Sequence, residues 1–294
     1  MSDAAIRLGL ATLLDTEVLA AQPQRIEGGC INQCYRYETK RGSVFVKVAP
    51  HTALDMFQAE AASLMELQGA KAARVPQVLG AGVSGEISLL ALQWIDLQRS
   101  SAASDAKFGE QLAQQHRNVK PLFGFKRNNF IGATPQINFW SRSWINFWRE
   151  HRFEAQLNLA EQNGANAAFT ERAALLSTMM DGFFATHTPI ASLLHGDLWG
   201  GNCAADAFGA PVIFDPAVYY GDRECDIAMT KLFGGFSRDF YAAYEDAWPL
   251  PDGWQQRIEL YNVYHVLNHF NLFGGGYLAQ AEAMIEKLLS ELGH

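Results

Sequence analysis

At 294 residues, 49% of them hydrophobic, the chain has enough apolar content for one large or two moderate domains with a buried core. A charged fraction of 18% and an aromatic fraction of 12% exclude a disordered composition. The net charge of −8, with no Lys/Arg cluster, excludes the basic face that a nucleic-acid partner requires. No run approaches the ~18 apolar residues of a membrane span, and residues 1–14 lack the basic-then-apolar order of a secretion signal. Cys30, Cys34, Cys203 and Cys225 form no CxxC pair, so a reducing, cytoplasmic setting is expected.

In chain order, residues 3–21 read as a helix ending before Pro23. The period then shortens: 35–39 and 43–48 alternate like two strands joined by a turn at Lys40-Arg41-Gly42. Ahead of them, Glu27-Gly28-Gly29-Cys30-Ile31-Asn32 is either a plain turn or a bend at which Gly28 and Gly29 let the backbone approach a phosphate. Cys30 in that bend is either a small semi-buried thiol or a redox-sensitive one. Lys47 lies in Val-Phe-Val-Lys-Val, with Val44, Val46 and Val48 on one face and Phe45 and Lys47 on the other. A charge in such a strand needs a partner. The helical stretch 54–68 offers one, because Phe57, Glu60, Ala61, Leu64 and Leu67 share a stripe that turns Glu60 inward. Two further strands are expected at 75–82 and 87–95 around Ser84-Gly85-Glu86. Gln93-Trp94-Ile95 then forms a short link whose backbone would hold an adenine. The polar Ser/Ala-rich stretch that follows sets the expected boundary between lobes 1–95 and 96–294.

Beyond residue 105 the pattern is mainly helical. Phe108, Leu112 and His116 mark one helix, and an aromatic loop runs over 123–132. Trp144 to Phe153 mark another helix, and a third spans Glu171–Thr186 with Thr170 as its expected cap. His265 and His269 stand four apart, but residue 266 is Val and no third ligand is apparent, so they read as packing or hydrogen-bonding histidines. No G-x-S-x-G supports a nucleophile-elbow hydrolase. The informative stretch is His195-Gly196-Asp197-Leu198-Trp199-Gly200-Gly201-Asn202, followed by Val212-Ile213-Phe214-Asp215. This is the phosphoryl-transfer spacing H-x-D-x-x-x-x-N with a second Asp on the next hairpin. Asp197 would accept the proton of an attacking hydroxyl, and Asn202 and Asp215 would offer hard oxygens to a Mg²⁺ bridging ATP phosphates. Trp199, two residues from that base, either lines a sugar site or packs the loop.

These residues carry a family likeness. His195-Gly196-Asp197 through Asn202, with Phe214-Asp215-Pro216, resembles the aminoglycoside-phosphotransferase branch of the protein-kinase-like fold. Leu198-Trp199, Asp215-Pro216-Ala217 through Glu224, Leu232-Phe233-Gly234-Gly235-Phe236 and Leu267-Asn268-His269 through Tyr277 are similar to the fructosamine/ketosamine kinase family over nearly the whole chain. The resemblance implies an α+β, two-lobed fold: a small antiparallel-sheet lobe with one helix, a larger helical lobe, and an ATP cleft between them. It also implies ATP- and Mg²⁺-dependent phosphorylation of the 3-hydroxyl of ketosamines, sugar adducts of protein or small-molecule amines, with release of the amine from an unstable 3-phosphate. Lys47 and Glu60 would be the phosphate-lysine pair, Asp197 the base, Asn202 and Asp215 the metal ligands, and Asp226 a support of the catalytic-loop backbone. The alternatives are another small-molecule kinase on this scaffold, acting on an aminoglycoside, choline or a free sugar, or a catalytically silent nucleotide-binding protein. The last would require loss of Asp197 or Asp215, and both are present.

Overall fold

The structure, a computed structural model, describes residues 2–27 and 32–294. Gly28, Gly29 and Cys30, and the phosphate-bend and redox readings attached to them, lie outside the described residues. The first helix, α1 (Asp3–Leu14), is capped by Ser2, whose hydroxyl accepts from the Ala5 amide. It ends seven residues before the expected end, because Asp15 turns left-handed (φ 46°) and directs Val18 into a bridge with Thr39. Strands β1 (Gln24–Ile26), β2 (Gln33–Thr39) and β3 (Gly42–Pro50), helix α2 (Leu54–Ala70), and strands β4 (Val78–Ser84) and β5 (Ile87–Gln93) complete the first lobe. The five strands form one antiparallel sheet in the order β1-β2-β3-β5-β4.

Alternation in β3 gives that sheet two different faces. Val44, Val46 and Val48 bury against Ile6 and Leu10 of α1, together with Tyr37, Leu89 and Ala91. The opposite face carries Phe45 and Lys47 beside Leu90 and Leu92, and α2 closes it with Phe57 and Leu64. Leu89 to Leu92 are buried throughout, as a strand covered on both faces must be. The inner cluster runs on without a break into the core of the helical lobe. Side-chain ties reinforce the join: Glu66 of α2 pairs with Lys126 (2.8 Å) and accepts from Tyr220 (2.9 Å), and Asp55 pairs with Arg127 (2.6 Å).

After β5, the backbone of 94–96 pairs with no other backbone group among the described residues. The polar stretch that follows is more structured than its composition suggests. Strand β6 (Leu97–Gln98) pairs with Ala205 and Asp206 of the later hairpin, and helix α3 (Ala102–His116) starts early because Ser101 and Ser104 form a reciprocal capping box. Next come β7 (Val119–Lys120), β8 (Asn129–Ile131) and β9 (Thr134–Gln136). Helix α4 (Trp144–Trp148) then runs through a π turn at Arg149–Phe153 into α5 (Glu154–Gln162), and α6 (Ala167–Met179) follows. The expected helix at 171–186 therefore starts earlier and stops earlier. Asn166, not Thr170, is its cap, accepting from the Phe169 amide at 2.9 Å. Strands β10 (Ala191–Leu194), β11 (Cys203–Asp206), β12 (Pro211–Ile213) and β13 (Tyr219–Gly221) frame the candidate site, and α7 (Glu224–Leu232), α8 (Arg238–Ala247), α9 (Trp254–Phe273) and α10 (Tyr277–Glu291) close the lobe. No helix among the described residues is long and apolar enough to cross a membrane.

Candidate active site

The loop between β10 and β11 is held from below by one buried carboxylate. Asp226, in the first turn of α7, accepts from the backbone amides of His195 (2.7 Å) and Gly196 (2.9 Å) and meets His116 Nε2 at 3.1 Å. Burial opposes its charge, but these donors, His116 foremost, hold its carboxyl below the usual range. His116 is neutral because burial lowers its pKa, so its Nε2–H donates to Asp226 while Nδ1 takes the Tyr244 hydroxyl at 2.9 Å. Gly196 is obligatory on two counts: its φ is +85°, and a Cβ there would stand 2.1 Å from the Ala217 carbonyl.

His195 ties the loop to the following hairpin. Its ring, kept neutral by burial, donates from Nε2 to the Phe214 carbonyl (3.0 Å), while Nδ1 accepts from the Asp197 amide (3.3 Å). Phe214 N donates to Asn202 O (3.1 Å) and Ala217 N to His195 O (2.9 Å), so the two segments are laced together. Asp215 adopts the left-handed conformation (φ 55°), which short Asp side chains tolerate, and this turns its carboxylate into the cleft. Asn202 donates from Nδ2 to the Asp197 carbonyl (2.8 Å) and to its carboxylate (3.3 Å).

The predicted base, metal, nucleotide and sugar residues that the structure describes meet in one cavity of about 1030 Å³ between the lobes, while Asp226, the predicted support, lies outside its lining. Lys47, Glu60, Gln93, Trp94, Ile95, Asp197, Trp199, Asn202 and Asp215 line it. Lys47 Nζ reaches both oxygens of Glu60 (2.8 and 3.0 Å) and Asp215 Oδ1 (2.5 Å). Burial works against the ammonium charge, but the two carboxylates outweigh it and keep Lys47 protonated. Asp197 behaves in the opposite way. Burial, then repulsion from Asp215, push its carboxyl up to about 7, within the range suited to a base at neutral pH.

The donor set suits a hard divalent cation. Asn202 spends its nitrogen on Asp197, which leaves its Oδ1 without a donor from the described protein, and Asp215 Oδ2 is likewise free. With Asp197 alongside, the cleft presents convergent oxygens and surplus negative charge, which are the requirements of Mg²⁺ rather than of a soft metal.

The cavity also has an end that sequence reasoning did not assemble. Phe233, Asn268, His269, Phe273 and Tyr277 face Trp199 across it. Trp199 is 38% exposed, stands edge-on to Phe233 at 6.4 Å, and lies on Gly201, where a Cβ would sit 2.3 Å from the indole. The indole thus both packs the loop and borders the cavity. His265 is buried and neutral, pushed down to about 3. His269 donates Nδ1 to the His265 carbonyl (2.8 Å) and packs on Phe233 at 4.7 Å, in line with the expected packing role, but it also borders the cavity. The available signal was the four-residue spacing of His269 and Phe273 at the end of one helix; Tyr277 opens the next helix after Gly274–Gly276, so no single period joins it to them.

The antiparallel lobe, the helical lobe and this cleft define the protein as a phosphotransferase of the protein-kinase-like fold, a class of enzyme that uses a nucleotide. The chain belongs to the fructosamine kinase family, whose model matches residues 3–291. It is 43% identical over 275 residues to a "Probable ketoamine kinase" of Synechocystis, covering 91% of this chain and 92% of the relative. It is 40% identical to a chloroplastic protein-ribulosamine 3-kinase of Arabidopsis thaliana, covering 91% and 82% of the two chains. Among solved structures, a "putative fructosamine-3-kinase" of Thermobifida fusca superposes with a TM-score of 0.87 at 29% identity, over 98% of this chain and all of that one. A choline kinase of Streptococcus pneumoniae shares the fold alone (TM-score 0.68, 16% identity, 98% and 99% coverage).

Proposed function

We propose that the protein transfers the γ-phosphoryl group of ATP to the 3-hydroxyl of a ketosamine, a fructosamine or ribulosamine adduct, and so begins deglycation. The observation that carries this reading is the placement of Asp197 between the Asn202–Asp215 oxygen set and an aromatic wall.

In the proposed mechanism Lys47, held by Glu60, binds the α/β-phosphates, and the unpaired backbone of 94–96 takes the adenine edge. Asn202 and Asp215 hold Mg²⁺, which supplies charge neutralisation at the phosphates when bound. Asp197 accepts the 3-hydroxyl proton as the sugar oxygen bonds to the γ-phosphorus and the bond to ADP breaks. Positioning and electrostatics account for most of the acceleration in such a step. Trp199 and Phe233 present flat apolar faces that suit the C–H face of a sugar and attract a single protonated amine. The 3-phosphate product would then break down and free the amine.

This wall also bears on the rival acceptors. An aminoglycoside carries several ammonium groups and calls for an acidic rim. The described lining carries the carboxylates of Glu27, Glu60, Asp96, Asp197 and Asp215, and the wall of Trp199, Phe233, Asn268, His269, Phe273 and Tyr277 contributes none. A coupled ADP-release assay across ketosamines, free amino sugars, choline and aminoglycosides tests the reading. Ketosamines are expected to be turned over far faster than the rest, and preferred turnover of any other class would overturn it. Trp199→Ala is expected to raise KM for the ketosamine about 10-fold, the cost of one lost aromatic contact of roughly 1.5 kcal/mol, with KM for ATP unchanged. Equal effects on both KM values would reduce Trp199 to a packing residue.

A further inference from the structure

Two buried polar side chains of the cavity wall are unused by the proposed mechanism: Asn129, whose amide is satisfied at both ends by the Val218 carbonyl, Gln136 and Asn138, and Asn268. Asn268, on α9, is 3% exposed, yet its side chain borders the cavity. A carboxamide presents a donor at one end and an acceptor at the other, and what the buried end bonds decides which faces the cavity.

That orientation is set two residues away. Asn271 donates Nδ2 to the backbone carbonyl of Gln156 at 2.9 Å and to Gln156 Oε1 at 2.8 Å. A backbone carbonyl can only accept, so the Asn271 end facing Gln156 must be its nitrogen. Gln156 then has its oxygen toward Asn271, and its Nε2 donates to Asn268 Oδ1 at 3.1 Å. Reversing Asn268 would set two NH₂ groups against each other in a buried site, at a cost of about 1–3 kcal/mol for the unpaired donors. Asn268 Nδ2 is therefore aimed into the cavity and meets no acceptor among the described residues. His269, the next residue on the helix, packs on Phe233 at 4.7 Å, and Phe233 meets Trp199 at 6.4 Å, two residues from Asp197, which puts Asn268 on the acceptor wall of the cavity.

We infer that Asn268 is a specificity-determining donor that takes a neutral oxygen of the acceptor sugar next to the hydroxyl being phosphorylated, and that the Asn271–Gln156–Asn268 amide chain fixes its polarity. An NH₂ group suits a hydroxyl or carbonyl oxygen and rejects an ammonium group. The inference rests on the acceptor reading of this end of the cleft.

Two variants invert the polarity by different routes. Asn268→Asp puts an oxygen where the donor stood. Gln156→Glu leaves the lining intact, but a carboxylate only accepts, so Asn268 must turn its nitrogen toward it and present Oδ1 to the cavity. Each is expected to lower kcat/KM for the acceptor roughly 10- to 100-fold, mainly through KM, with KM for ATP within twofold of wild type. A merely structural role would move both KM values and the melting temperature together. Acceptor kinetics within threefold of wild type for Asn268→Asp, or a parallel loss of ATP affinity in both variants, would overturn the inference. Should either variant fold poorly, wild-type enzyme is assayed with acceptors lacking one hydroxyl that flanks the phosphorylated position. At least one is expected to lose a comparable factor, and undiminished turnover of every such analogue overturns the proposal. If the wild type phosphorylates no ketosamine, the proposed function fails, and the same comparison is made on the acceptor that the screen returns.

Discussion

Asp197→Asn is expected to lower kcat about 10³-fold, within the range for loss of a positioned general base, while ATP affinity stays close to wild type. The variant keeps the shape of the loop, since Asn202 still reaches the residue 197 carbonyl. In the wild type without nucleotide or metal, burial and the facing Asp215 push the Asp197 carboxyl up to about 7. A Mg²⁺ held by Asp215 would cancel part of that repulsion, so kcat is expected to rise with pH and to level off below neutrality, because only the ionised form accepts a proton. Stability should move the opposite way. The folded carboxyl holds its proton more tightly than the unfolded one, so its contribution is complete below the unfolded pKa near 3.8 and is lost as pH rises through about 7. At pH 8 without nucleotide or metal, Asp197→Asn should therefore be the more stable protein, by about 2 kcal/mol once partial opening to the cleft is allowed for. The gain should shrink as pH falls and nearly vanish only near the unfolded pKa of 3.8. Kinetics across pH 5.5–9 and paired melting curves check this. A variant less stable than wild type at pH 8 without nucleotide or metal, or one that keeps wild-type kcat, would refute the assignment of Asp197 as the buried base.

The second large effect is on the fold under the loop. Asp226→Ala removes the acceptor shared by His195 N, Gly196 N and His116, stranding buried donors at roughly 1–3 kcal/mol apiece. A loss on the order of 4 kcal/mol follows, or a melting temperature lower by roughly 10 °C for a chain of this size. Turnover should fall with it, since the His195–Asp197 backbone loses its anchor. Asp226 is not among the residues lining the cavity, so activity lost at unchanged stability would point to a direct chemical role instead. The same carboxyl, held below the usual range, gives stability that is present above the unfolded Asp pKa and is lost as pH falls through its lower folded value.

Much of the site was legible because its parts are local. Asp197 and Asn202 share one loop, and Asp215 lies at the end of the adjoining hairpin, a spacing that the laced backbone of 195–217 explains. Lys47 and Glu60 were readable from alternation in a strand and from the stripe of a helix, and the structure pairs them within 3 Å. Helix ends were less legible, since caps depend on one side chain each. Asn166 wins over Thr170, and Ser101 with Ser104 starts a helix inside what composition marks as a loop. The early stop of α1 at Asp15 comes from a left-handed residue that no apolar period announces.

The sequence by itself determined which residues the proposed chemistry rests on, Asp197, Asn202, Asp215 and the Lys47–Glu60 pair, each picked out by a short spacing or a period in which chain connectivity sets geometry. Only the tertiary structure decided how an acceptor would be met. The wall of Trp199, Phe233, Asn268, His269 and Tyr277 draws on separate segments. The polarity of Asn268 depends on Gln156, 112 residues away. The support of Asp226 comes from His116, 110 residues away. Such pairs obey no period, and an amide's direction is a property of its hydrogen-bond partners rather than of its place in the chain.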